Sequence, residues 1–266
     1  ISLMLAGGAL AWLGLIPLIA SVGEALPGPL YPAEIPIAEM SPAQIWNRYI
    51  RYIGAGAVAL GGIMSLIRAM PTIVSSFSAS LKGFNLKINP NLPRTMRDLP
   101  GTVVIGGALL IALLIWMLPA LKLNFIGALL VVIFTFFFAS VASRVVGLVG
   151  GSSLPVSGMT IAALLGTALV FSAFGWTGNE GKFAALIVGA IVCVGISSAG
   201  DISQDLKTGF LVGATPYRQQ IGQFFGVLSA ATVVGAVVLL LDAAFTIGSQ
   251  ELPAPQATLM KLVVEG

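Results

Sequence analysis

The sequence predicts an all-α, polytopic transmembrane helical bundle, and three observations carry that prediction. Only 9% of the 266 residues are charged and 57% are hydrophobic, with a mean hydropathy of +1.01, values outside the range of water-soluble domains. The apolar residues come in continuous runs of bilayer-spanning length. They do not alternate with polar residues in the short segments of an outer-membrane barrel. Glycine and proline recur inside the runs, as they do in helices that pack closely or break within a membrane.

About seven hydrophobic segments follow in order. Ser2 to Val22 is uncharged and holds Pro17, which a spanning helix tolerates. Residues 23–48 are expected to form an external loop, because Pro27, Pro29, Pro32, Pro36 and Pro42 forbid a long helix among Glu24, Glu34 and Glu39. Tyr49 to Leu81 is longer than one straight span, and Arg68 followed by Pro71 suggests a helix that bends or breaks at Met70-Pro71. Residues 82–100 carry Lys82, Lys87, Arg94 and Arg97, which the positive-inside rule assigns to the cytoplasm.

Gly101 to Pro119 and Leu123 to Ser143 are two spans joined by a very short turn, hence an antiparallel hairpin. The phenylalanines at 134, 136, 137 and 138 read as lipid-facing or packing surface. The next segment opens with Gly151, Ser152, Ser153, Leu154, Pro155, Val156, Ser157, Gly158, Met159 and Thr160 and runs to about Phe174. Small hydroxyl residues with glycine and proline at a helix start suit an unwound segment that presents free amides. A plain helix cap by Ser153 or Ser157 stays open. Phe183 to Gly200 and Ile221 to Leu241 complete the set, separated by an expected cytoplasmic loop at 201–219. With 82–100 and 201–219 inside, Arg144 also falls inside and the acidic 23–48 segment outside, so one alternation fits every strong charge signal.

Chemistry is sparse. Asp201, Asp205 and Lys207 directly follow an apolar run in a chain of 13 basic and 10 acidic residues. Ionisable groups at membrane depth are costly and are usually retained for function. On a helix the two carboxylates share one face, near enough to Lys207 for it to influence their ionisation. A loop starting at the membrane surface, where charge is cheap, is the alternative that spacing leaves open.

The chain has no histidine and one cysteine, Cys193, which removes proton relays and transition-metal sites built from imidazole, cysteine-rich metal sites and an intrachain disulfide, so any metal handled here arrives with its own ligands or binds carboxylate and carbonyl oxygen. No ATP-binding loop is present, and the lone Gly200-Asp201 pair lacks the second, facing aspartate of an intramembrane protease. Enzyme, cofactor and resident-metal readings therefore have no support. The scattered basic residues form no nucleic-acid stripe. Broken helices, small-residue packing and a few ionisable groups fit a gradient-driven transporter, and a channel-like or purely structural membrane subunit uses similar parts.

Two stretches support a family resemblance. Gly151 to Thr160 resembles the serine-rich Pro-(Ile/Val)-Ser-Gly-Met-Thr signature of the oligopeptide transporter superfamily, with Leu154 where many members have asparagine. Ala199 to Gly209, AGDISQDLKTG, is similar to its second signature, shared with yellow-stripe-like metal-chelate transporters. Tyr52 to Val58 and Arg68 to Pro71 resemble the bacterial branch.

The resemblance implies a secondary active, proton-coupled importer of oligopeptides or peptide-like metal chelates in a bacterial inner membrane. Complete members are longer, so the chain is expected to be a piece of one transmembrane domain that works with remaining segments of the full-length chain. A homo-oligomer is left open as a further partner. By the same resemblance, Ser152, Ser153, Ser157, Gly158 and Thr160 are expected to line the substrate pathway. Asp201, Asp205, Lys207 and Arg68 are expected to serve coupling or gating.

Overall fold

The computed structural model describes residues 2–83, 92–151, 154, 156–249 and 251–265, and the chain divides into two compact units, 1–60 and 61–266. Among the described residues all regular structure is helical, and six helices are long and apolar enough to cross a membrane.

In the first unit, α1 (Ser2–Ala9), a π-helical segment (Leu10–Leu15) and α2 (Ile16–Gly23) follow without interruption. At 1.5 Å per residue this 22-residue stretch measures about 33 Å, enough for a hydrocarbon core of about 30 Å. The π segment ends two residues before Pro17 and contains Leu13, whose carbonyl, four residues back, the proline ring would clash with; a wider turn relieves that clash. The returning chain resumes helix at Pro42, inside the range expected to be loop. Ser41 and Gln44 form a capping box there, so a proline at the first helical position starts α3 (Pro42–Ile45) instead of ending it. A second π turn (Trp46–Ile50) leads into α4 (Arg51–Gly83).

Ala11, Ile16, Ile37, Ile45 and Ile50 form a small core. Trp12 stacks on Trp46 with ring centroids 5.8 Å apart, and the Tyr49 hydroxyl donates to the Leu30 carbonyl at 2.7 Å. The connecting segment is thereby folded onto its helices.

In the second unit, α4 continues unbroken past Pro71, contrary to the break expected at Met70-Pro71. One interior proline removes a single helical hydrogen bond, which a long apolar helix absorbs. Of the expected 82–100 loop, residues 82 and 83 still belong to α4, and the described part from 92 on is irregular apart from a 3₁₀ turn at Arg94–Met96. The hairpin is present: α5 (Gly101–Met117) and α6 (Phe125–Val149) are joined through Lys122, at a φ of 48°, and Asn124 caps α6 by accepting from the Gly127 amide at 2.8 Å. Phe138 is buried, while Phe134 and Phe137 pack against the core, as expected of packing surface. Phe136 lines an apolar cleft of about 680 Å³ between α5 and α6.

Gly150, at a φ of 76°, ends α6, and α7 (Val156–Ala173) begins six residues later. α8 (Asn179–Leu211) is the centre of the unit and packs along both α6 and α7. The apolar run that predicts it stops at Gly200, but the helix continues to Leu211, so most of the expected 201–219 loop is helix and only a short turn at 212–215 remains. No proline lies between Asp201 and Leu211, Gly209 keeps a helical backbone, and the glycine that enters the left-handed region after α8 is Gly213, at a φ of 72°. At 33 residues α8 is about 50 Å long, so its charged last turns extend beyond a 30 Å apolar layer. α9 (Pro216–Phe245) has no buried residue, and α10 (Pro255–Glu265) packs on α7 and α8.

Candidate functional site

Glycines set the spacing of the α6–α7–α8 bundle. A β-carbon at Gly189 would come within 2.5 Å of Leu164, one at Gly195 within 2.5 Å of Thr135, and one at Gly166 within 2.9 Å of Phe134. Gly127 faces Phe171 at an ordinary van der Waals distance, 3.5 Å from where its β-carbon would sit. These pairings run α7 antiparallel to both α6 and α8, an arrangement of close small-residue contacts. Thr135 Oγ1 is buried at this seam without a hydrogen-bond partner.

At one end of the bundle the two signature segments meet. Leu154, two residues before α7, covers Gly200 of α8, and Val146 of α6 lies 3.5 Å from where a β-carbon on Gly200 would sit. The hydroxyls of Ser143 and Ser203 both reach the Ala199 carbonyl, at 3.5 and 2.8 Å. Here Leu154 supplies an apolar contact, which an asparagine in its place would not.

Three of the five expected pathway residues, Ser157, Gly158 and Thr160, have a definite place. Ser152 and Ser153 lie outside the described residues. Ser157 is in the first turn of α7, not at its cap, and its hydroxyl accepts from Gln256 Nε2 of α10 at 2.8 Å. Gly158 follows it, half-buried. Thr160 is buried, and its hydroxyl is committed to the Val156 carbonyl at 2.9 Å, so it faces no open path.

The charged residues separate into different environments. Asp201, Asp205 and Lys207 are all exposed on α8. Asp201 and Asp205 share a face, but Lys207 sits roughly 200° around the helix from Asp205 at 3.6 residues per turn, and among the described residues no ion pair joins it to either carboxylate. Lys207 therefore stands on a different face of α8 from the two carboxylates. Arg68 is exposed on α4, and among the described residues no bond links it to the aspartates.

Asp205 belongs to a polar junction that residue spacing does not reveal. Gln219 of α9 donates to its carbonyl at 3.0 Å, and Gln223 donates to its carboxylate at 3.3 Å. Together with Thr208 and Gly222 these residues line a notch of about 360 Å³. The segment before α5 is pinned to the same end of α9. Gln220 accepts from the Leu99 amide at 2.9 Å and donates to Asp98 at 3.1 Å, the Tyr217 amide donates to the Arg97 carbonyl at 3.0 Å, and Arg94 donates to Thr215 at 3.4 Å. The signal in the sequence is the glutamine group Gln219, Gln220 and Gln223 at a helix start. Among the described residues no three potential ligands gather in a metal-binding group.

The OPT oligopeptide transporter protein family matches the whole chain, residues 1–266. The chain belongs to this family. It is similar to the "Putative oligopeptide transporter" of Haemophilus influenzae, 31% identical over 262 residues that cover 85% of this chain and 41% of the relative. It is also similar to two Arabidopsis thaliana proteins, "Probable metal-nicotianamine transporter YSL5" and "Probable metal-nicotianamine transporter YSL8", each 25% identical over 303 residues and covered over 40% of its length. This OPT chain therefore spans about two fifths of the length of these relatives. No solved structure matches it. The family is one of transporters, not enzymes.

Proposed function

We propose that the chain is part of a secondary active, proton-coupled importer of oligopeptides or peptide-like metal chelates across a bacterial inner membrane. The observation that carries this reading is the contact of Leu154 with Gly200, which brings the start of α7 against the end of the apolar part of α8. Asp201 is the next residue, exposed where the apolar run stops. In this reading Asp201 takes up and releases the proton, since it has an accessible carboxylate beside a close helix contact. Asp205 acts differently, because its bonds to Gln219 and Gln223 hold α9 to α8. Ser157 and Gln256 mark where the substrate path borders α10.

The relatives' names support both substrate classes, oligopeptides from the bacterial protein and metal-nicotianamine from the plant proteins. Those classes share carboxylate and amine groups. Uptake by the full-length protein, compared with its Asp201→Asn variant across pH, tests the coupling role. Loss of the proton-driven component with retained substrate binding is expected. Unchanged pH dependence would remove Asp201 from that role.

A further inference from the structure

The first unit holds a polar cavity between the connecting segment and the start of α4. It measures about 470 Å³, within the usual range for small-ligand sites, and its polar lining is Glu34, Gln44, Asn47, Arg48, Arg51 and Tyr52. Arg48 and Arg51 are about one turn apart on the helix that returns from the connecting segment, and Glu34 comes from that segment itself. Among the described residues, none of these three charged groups takes part in an ion pair or a side-chain hydrogen bond. Two guanidinium groups and one carboxylate therefore surround a cavity with their bonding capacity unspent.

The walls are held from behind. Ile37, Ile45 and Ile50 are buried in the small core, Ser41 and Gln44 cap α3 reciprocally, and the Tyr49 hydroxyl ties the helix to Leu30. The π turn at Trp46–Ile50 contains Arg48 and adjoins Arg51, and such turns are frequent at functional sites. A rigid frame presenting two forked cations is suited to carboxylate, which guanidinium binds bidentately. One acidic group nearby suits an ammonium.

We propose that this cavity is a recognition subsite for zwitterionic, amino-acid-derived ligands, with Arg48 and Arg51 holding a carboxylate and Glu34 facing the amino group. This subsite deepens the transporter reading and rests on it. By the charge alternation the cavity opens on the external side, where an importer would first meet its cargo. The net balance of two cations against one anion favours ligands carrying more carboxylate than amine charge at this end.

The test uses the full-length protein in nanodiscs and measures binding of three probes: trialanine, its C-terminal amide and its N-acetyl derivative. Phenylglyoxal labelling of Arg48 and Arg51, read by peptide mass spectrometry, reports occupancy of the cavity directly. Wild-type protein is expected to bind trialanine, to be protected by it from labelling, and to bind the amide about tenfold more weakly, the change that follows from losing one charge-assisted bond. Arg48→Gln with Arg51→Gln should abolish the preference for the free carboxylate, whereas Arg51→Lys should retain part of it, because a lysine keeps the charge and loses the fork. Glu34→Gln should erase the difference between trialanine and its N-acetyl form.

Trialanine binding that is unchanged in the arginine variants, with no protection of either arginine, would overturn the subsite while leaving the transporter reading intact. If wild-type protein neither binds nor transports any of the probes or an iron–nicotianamine chelate, both would fall. If the double glutamine variant aggregates, the labelling of wild-type protein decides, together with the double lysine variant, in which the preference for the free carboxylate should fall without vanishing.

Discussion

The side chain of Leu154 occupies the space that a β-carbon on Gly200 would need. Because the obstructing atom is the end of a flexible leucine, Gly200→Ala should cost little, while Gly200→Val should destabilise the bundle by about 1–3 kcal/mol, the usual penalty for overpacking. Leu154→Ala should rescue the valine variant. Thermal unfolding of wild type, both single variants and the double variant in detergent, taken as a double-mutant cycle, measures the coupling. Additive effects would mean that the two signatures do not touch.

Gly181 provides the contrasting case. A β-carbon there would meet the backbone carbonyl of Trp176, which cannot rotate away. Gly181→Ala is therefore expected to lower the unfolding temperature more than Gly200→Ala, although both add one methyl group. The same melting assay decides the order.

The two aspartates should respond differently to neutralisation. Asp205→Asn weakens the hydrogen bond from Gln223 and should cost about 0.5–1.5 kcal/mol of stability, in keeping with a single bond. Asp201→Asn, with no described partner to lose, should leave stability unchanged and remove the proton-driven component of uptake. Melting curves and pH-dependent uptake of the two full-length variants, measured side by side, separate structural support from coupling.

The segment before α5 should be freed by a single change. Gln220→Ala removes both the acceptor for the Leu99 amide and the donor to Asp98. Limited trypsin digestion is expected to cut after Arg94 and Arg97 several-fold faster in this variant. Equal rates would show that other contacts, Tyr217 to Arg97 and Arg94 to Thr215 among them, suffice to hold the segment.

Hydropathy makes the spans legible, because the bilayer imposes one length and one composition on every crossing helix. It says less about where helices stop. α8 outruns its apolar stretch by eleven residues, since Asp201 to Leu211 hold no proline and their one glycine, Gly209, stays within the helix. The same blindness places the start of α3 inside a loop, where Pro42 reads as a breaker and Ser41 with Gln44 turns it into a helix start.

At the site, the signature segments are visible in sequence, but their partners are not. Ser157 bonds a residue 99 positions away, and Asp205 bonds two glutamines on the following helix. Long-range hydrogen bonds leave no periodic trace in a single chain. Charge alone groups Arg68 and Lys207 with the aspartates; helical phase turns Lys207 away, and no described bond links Arg68 to them. The cavity around Arg48 and Arg51 is hidden because its residues sit at the edge of a proline-rich stretch that reads as a plain connection.

Coupled uptake tests the transporter reading most directly. The full-length protein, reconstituted into tight proteoliposomes under an inward proton gradient, is offered a mixed short-peptide pool with iron chelates, and the lumen is read by mass spectrometry. A proton-coupled importer accumulates a defined subset, saturates with concentration and loses the accumulation when a protonophore is added. Flux that never saturates, or no accumulation of either class in vesicles shown to be sealed, would contradict that reading and point to a channel-like or structural role.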